Sequence, residues 1–105
     1  MKELDPVIHA QARLRVMTAL AALAPDDRIT FPRLRQLLDL TAGNLSIHLR
    51  RLEDAGYVVI AKEYQRRTPV TYVAMAEAGR AAFQRYRSDL QALLSHPAPE
   101  RQARS

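Results

Sequence analysis

Between Thr41 and Tyr64 the sequence leaves the chain little conformational freedom. Leu45, Leu49 and Leu52 recur at spacings of four and three, which places three large apolar side chains on one side of a helix. Thr41 offers a hydroxyl where the first free amides of that helix need an acceptor. Gly56 stands where a left-handed residue closes a helix, and Tyr57-Val58-Val59-Ile60-Ala61-Lys62-Glu63-Tyr64 follows at once with the composition of a strand. The spacing predicts a helix from about Ala42 to Ala55, buried along its leucines. Its opposite side, Ala42, Gly43, Asn44, Ser46, Ile47 and His48, is then left outward.

The remaining segments arrange themselves around this pair. Val7, Leu14, Met17, Leu20 and Ala21 predict a first helix over Val7–Leu23, with Asp5 as N-cap, Pro6 at the first helical position and Pro25-Asp26-Asp27 at its end. Arg28-Ile29-Thr30-Phe31 suits one short strand. Pro32 opens a second helix through Leu38, with Leu34, Leu37 and Leu38 as its buried stripe, and Asp39-Leu40-Thr41 interrupts before the leucine helix. Gln65-Arg66-Arg67-Thr68-Pro69 is expected as a polar loop, and Val70–Met75 as the returning strand of a hairpin. A last helix spans roughly Glu77 to Leu94, with Ala82, Phe83, Tyr86, Leu90, Leu93 and Leu94 apolar. The predicted class is α+β, mainly α.

A chain of 105 residues supports a single domain, expected over residues 1–95, with His96–Ser105 as a flexible polar tail. The absence of cysteine removes disulfides, thiolate metal sites and a cysteine nucleophile. Three histidines lie scattered, and glycine occurs only at Gly43, Gly56 and Gly79, so no phosphate-cradling loop, nucleophile with its base or paired carboxylates emerge. No enzyme, cofactor or metal is expected: Asp89 and His96 alone fall short of a tetrahedral site. The N-terminal residues lack the apolar core of an export signal and no apolar run reaches membrane-spanning length, so a cytoplasmic location and no membrane partner are expected. The sixteen basic side chains exceed the eleven acidic ones, and all but Lys2 and Lys62 are arginines, whose planar forks suit phosphate and guanine.

Two helices joined by a tight turn, the second followed by a hairpin, form the winged helix-turn-helix order. The block from Leu40 to Val58, LTAGNLSIHLRRLEDAGYV, resembles the recognition-helix region of ArsR/MarR-like bacterial transcription regulators. Ile8–Met17 is similar to their first helix, and Thr71-Tyr72-Val73 with Ala76–Arg80 to the end of their wing and entry to the last helix. The resemblance covers about residues 5 to 94. Ile47 departs from it, being apolar where such regulators often carry a polar or basic residue.

What the resemblance implies is a transcription regulator, a repressor in the first instance, that binds double-stranded DNA. Asn44 can pair with adenine, His48 can donate to guanine N7 or to a phosphate, and Ile47 can pack on a thymine methyl, while Ala42 and Ser46 share the reading face. Gly43 admits close backbone approach, and Thr41 with the helix N-terminus suits a phosphate oxygen. Arg50 and Arg51 are expected on backbone phosphates. Arg66 and Arg67 at the tip of the 64–69 wing suit the minor groove, with Lys62 and Tyr64 flanking them.

One such helix reads only a few base pairs, so a homodimer on a palindromic operator is expected, paired through the first and last helices by Val7, Ile8, Phe83, Tyr86, Leu90 and Leu93. Filling of the protein's own core is the competing role for those side chains. A winged-helix module for protein contacts is the alternative function. No pocket for a small-molecule effector is recognisable in the sequence.

Overall fold

The computed structural model describes residues 3–95. The elements run α1 (Gln11–Ala21), β1 (Ile29–Thr30), α2 (Phe31–Leu38), α3 (Ala42–Asp54), β2 (Val58–Gln65), β3 (Thr68–Met75) and α4 (Glu77–Ser95). The strands form one antiparallel sheet in the order β1-β3-β2. This is the expected winged helix-turn-helix order. The tail expected over 96–105 lies outside the described residues.

Local chemistry explains each junction. The Thr30 side chain caps α2 by accepting from Arg33 N at 3.3 Å, and the Thr41 side chain caps α3 by accepting from Asn44 N at 3.1 Å. Between them Asp39 takes a left-handed φ of 52°, and the Leu40 amide reaches back to the Arg35 carbonyl at 3.3 Å. Arg15 Nη2 donates to the Leu38 carbonyl at 2.7 Å, which ties α1 to the turn between the two helices. At the far end of α3, Gly56 at φ 81° lets its own amide bond Glu53 O at 2.9 Å and the Tyr57 amide bond Leu52 O at 2.9 Å. These paired bonds satisfy the helix's last carbonyls and turn the chain straight into β2.

The core gathers Val16, Met17 and Leu20 of α1, Leu34 and Leu38 of α2, the three leucines of α3, Val58 and Val73 of the sheet, and Ala82, Phe83 and Tyr86 of α4. Full burial of such an aliphatic side chain is worth about 1.5–3 kcal/mol, so the leucine stripe pins the rotation of α3 about its axis. Leu37 departs from the expected stripe and is 53% exposed. It sits about 100° around the helix from Leu38 and borders an open apolar groove with Leu14, Ala19, Leu23 and Ile29 in place of the core.

The start of α1 also differs from the expectation. Asp5 caps only a turn, its Oδ1 accepting from Val7 N at 2.9 Å and its carbonyl from His9 N at 2.7 Å. The chain then extends at Ala10, φ −143°, and the helix begins at Gln11 without a side-chain cap. The break turns Ile8 inward, where it is fully buried, and Arg13 Nε satisfies the Val7 carbonyl at 2.6 Å. Ile8, Phe83 and Tyr86 are therefore core residues rather than a pairing surface. Tyr86 shares a 2.8 Å hydrogen bond with His9 Nδ1. Of the proposed pairing residues, Val7 and Leu90 are half-buried and Leu93 is exposed, with Leu94 beside it 71% exposed.

The hairpin loop is shorter than the expected stretch from Gln65 to Pro69. Gln65 pairs with Thr68 and Tyr64 with Pro69, leaving Arg66 and Arg67 as a two-residue turn, with φ of 52° and 74°. Two successive left-handed residues match the twist of the flanking strands, which is why hairpins tighten this way. Antiparallel pairs alternate between bonded and non-bonded. Gln65 and Thr68 close the turn, so Pro69 falls at a non-bonded pair and its missing amide proton costs the β2·β3 ladder nothing.

Candidate nucleic-acid interface

With Leu45, Leu49 and Leu52 buried, the N-terminal half of α3 presents the rest of its circumference to solvent. Ala42, Gly43, Asn44, Ser46 and Ile47 are exposed, as the sequence predicts, and Ile47 is 62% exposed despite its apolar side chain. The Thr41 hydroxyl accepts from the Asn44 amide, which leaves its own proton free to donate outward. A Cβ added at Gly43 would meet nothing within 4 Å, so the protein does not require glycine there for packing.

Helical periodicity divides the exposed side chains into two sets. Asn44, Ile47, His48 and Arg51 form one line at spacings of three, one and three. Ser46 and Arg50 turn instead toward the hairpin, where they border an open trough with Lys62 of β2 and Thr71 of β3. Lys62 and Thr71 are direct cross-strand partners, which brings both to the face of the sheet that looks at α3. Glu53 and Asp54 border the same trough and make the C-terminal end of α3 the acidic one. Arg50 and Lys62 thus share the trough with two carboxylates, and its uncharged end is at Ser46, the end nearer the α3 N-terminus, where the helix dipole favours an anion.

His48 is half-buried, in contrast to its neighbours. Its Nδ1 lies 3.4 Å from Arg13 Nη1, and a guanidinium can only donate, so in the neutral ring Nδ1 is the acceptor and Nε2 carries the proton. Desolvation, followed by the charges of Arg13 and Arg51, pushes the His48 pKa below its ordinary value. The side chain is therefore a neutral donor near neutral pH, a form suited to guanine N7.

The wing carries Arg66 and Arg67 at its tip and Tyr64, 76% exposed, one residue before Gln65. Among the described residues, no ion pair engages Arg50, Arg51, Lys62, Arg66 or Arg67, and the salt bridge present joins Arg28 to Glu63. Arg33 and Arg35 of α2 are exposed as well. The structure brings Ser46, Arg50 and Lys62 together at one trough. Tyr64, Arg66 and Arg67 lie farther out along the same hairpin.

A second cluster, absent from the sequence reading, lies on the opposite face of the hairpin. Arg28 spans Glu63 with Nη1 at 2.7 Å and Nη2 at 3.1 Å, its guanidinium carbon 3.7 Å above the Tyr72 ring, and Gln65 Nε2 donates to Tyr72 Oη at 2.6 Å. Period two along β2 puts Glu63 and Gln65 on one face, a signal available from the sequence. Their partners depend on the pairing of β1 with β3, which is not.

Residues 12–94 match a family described as winged helix DNA-binding domain. The chain belongs to that family. An uncharacterized protein of Methanocaldococcus jannaschii is 30% identical to this winged-helix chain over 80 residues, covering 76% of it and 84% of the relative. Among solved structures, a transcriptional regulator homologue from Pyrococcus horikoshii is 32% identical with a TM-score of 0.77, covering 85% of each chain. A MarR-family transcriptional regulator from Enterococcus faecalis shares the fold at 20% identity and a TM-score of 0.71, covering 94% of this chain and 84% of its own. The MarR-like side of the resemblance is thus met at the level of fold. Among the described residues of this winged-helix domain, no helix is long and apolar enough to cross a membrane and no group of three or more His, Cys, Asp or Glu could hold a metal ion.

Proposed function

We propose that the chain is a homodimeric transcription regulator that binds a palindromic double-stranded operator and represses by occluding a promoter. The observation that carries this reading is the outward side of α3, with Asn44 and Ile47 exposed and His48 half-exposed, set beside Arg50, Lys62 and an arginine-tipped hairpin, none of them in an ion pair among the described residues. In this arrangement α3 enters the major groove, Asn44, Ile47 and His48 meet base edges, and Thr41, Arg50, Arg51 and Lys62 hold phosphates on either side. Arg66 and Arg67 lie on the adjacent minor groove, where negative potential is strongest. Arginine contacts supply a salt-sensitive attraction blind to sequence, and each good base contact adds about 1–3 kcal/mol of discrimination.

The dimer uses the free end of α4. Leu93 and Leu94 are exposed and Leu90 half-covered, three leucines on one side of the helix that a second copy would bury under two-fold symmetry, with the half-covered Val7 as a further candidate. Two α3 helices would then address half-sites about 34 Å apart, one turn of duplex.

Selection of bound fragments from random duplex DNA tests the reading. A palindromic consensus is expected, with the preference at one position in each half-site relaxed by Asn44→Ala at a cost of about 1–3 kcal/mol. Recovery of no consensus, together with salt-independent behaviour, would sink it.

A further inference from the structure

The hairpin that carries Arg66 and Arg67 projects past the end of β1, which pairs with β3 only at Val73 and Tyr72. Beyond that point it is a two-stranded limb, an arrangement that holds its angle poorly in water. Its single carboxylate is Glu63. This negative side chain three residues from Arg66 would disfavour an approaching phosphate if left unpaired.

We propose that Arg28 is a positioning residue for DNA binding: by bridging Glu63 and covering Tyr72 it fixes the wing angle and cancels the wing's one negative charge, without touching DNA itself. The proposal rests on the reading of the wing as a DNA contact. Arg28 precedes β1 at one edge of the sheet, Tyr72 lies on the central strand, and Glu63 lies on β2 at the other edge. One guanidinium therefore straddles all three strands. The fork is bidentate, at 2.7 and 3.1 Å, which adds a fixed orientation to the attraction. Gln65 extends the brace to the residue that adjoins the arginine turn, through its 2.6 Å bond to Tyr72. Glu63, Gln65 and Tyr72 share the face opposite Lys62 and Thr71, so the brace lies on the side of the sheet away from the trough. The Arg28 and Glu63 pKa values move apart, Arg28 upward and Glu63 downward, each chiefly through their mutual hydrogen bond.

Binding of a random-sequence duplex, measured for single and combined variants, separates this from a direct contact. Exposed ion pairs and cation–π contacts are individually weak, so Arg28→Ala is expected to lower affinity by about three- to tenfold. The same change made on an Arg66→Ala, Arg67→Ala background should have a clearly smaller effect, because the fixed wing angle acts through those side chains and only the uncovered Glu63 charge remains. Glu63→Gln is the sharper case. Removing an acid from a DNA-binding surface favours binding by charge alone, whereas loss of the brace weakens it, and the weakening is expected. Faster amide hydrogen exchange at Arg66–Thr68 in the DNA-free Arg28→Ala protein is the accompanying signature. Tighter binding by Glu63→Gln, or an equal loss from Arg28→Ala on both backgrounds, would overturn the brace while leaving the DNA reading intact. No duplex binding by the wild-type chain would overturn that reading, and with it the role of the brace.

Discussion

The Tyr57 carbonyl oxygen occupies the space that a Cβ on Gly79 would need, and the Ala76 amide donates to the same oxygen at 3.0 Å. The exit from α3 and the entry to α4 thus meet backbone to backbone. Nothing larger than glycine fits at this crossing.

Gly79→Ala should therefore destabilise the fold, although alanine is ordinarily the better helix residue by about 1 kcal/mol. The obstacle is main chain and not a movable side chain, so a net loss of about 1–3 kcal/mol is expected, read as a lower urea midpoint at unchanged slope. Gly43→Ala provides the contrast, since its Cβ meets open space. A comparable loss there would contradict the assignment of steric cause.

The wing turn sets stability against binding. Arg66 and Arg67 both adopt left-handed φ values, which asparagine and glycine tolerate far better than arginine. Changing Arg66→Asn and Arg67→Gly together is expected to raise stability by about 1 kcal/mol or more while weakening duplex binding and flattening its salt dependence by about one unit of slope per lost phosphate contact. Thermal unfolding and a salt titration of binding check the two halves. A variant that is both more stable and equally tight would remove the wing from the interface.

His48 predicts a pH dependence of stability. Its pKa in the folded chain lies below the ordinary 6.5, first because of desolvation and then because of Arg13 and Arg51. As pH falls through about 6.5 the unfolded chain takes up the proton before the folded one, so stability declines between that value and the lower folded pKa and is unaffected above it. His48→Gln should remove this component. Urea midpoints at neutral and mildly acidic pH for both proteins provide the test, and parallel pH curves would refute it.

The exposed end of α4 makes the oligomer testable without disturbing the core. Leu93 and Leu94 are both exposed, so changing both to Glu should alter the folding free energy of the single chain by no more than about 0.5 kcal/mol. Sedimentation equilibrium is expected to show a monomer, and affinity for a two-half-site duplex should fall to that for one half-site. A variant that stays dimeric would direct attention away from this helix.

The outward side of α3 was legible because one periodicity decides it: Leu45, Leu49 and Leu52 can be buried only one way, and the placement of Asn44, Ile47 and His48 follows. Gly56 and the β-branched residues after it announced β2 equally well. The first helix was less legible, because Asp5 and Pro6 are good starting signals for a turn as well as for a helix, and burial of Ile8 decides between them. Assignment of Phe83 and Tyr86 to core or interface depends on where α4 crosses α1, a tertiary fact with no local mark. The Arg28 brace lay further out of reach. Its members are 35 positions apart in the chain, and nothing in either neighbourhood names the other.

Pro69 has an effect beyond its own pair. The outer rim of β3 is bare once β1 ends, and a bare rim invites a stray strand from another molecule to zip alongside. A proline at that rim withholds the donor such a guest would need. Along the β3 rim the wing can stay long, slender and uncovered without offering a neighbour that pairing site.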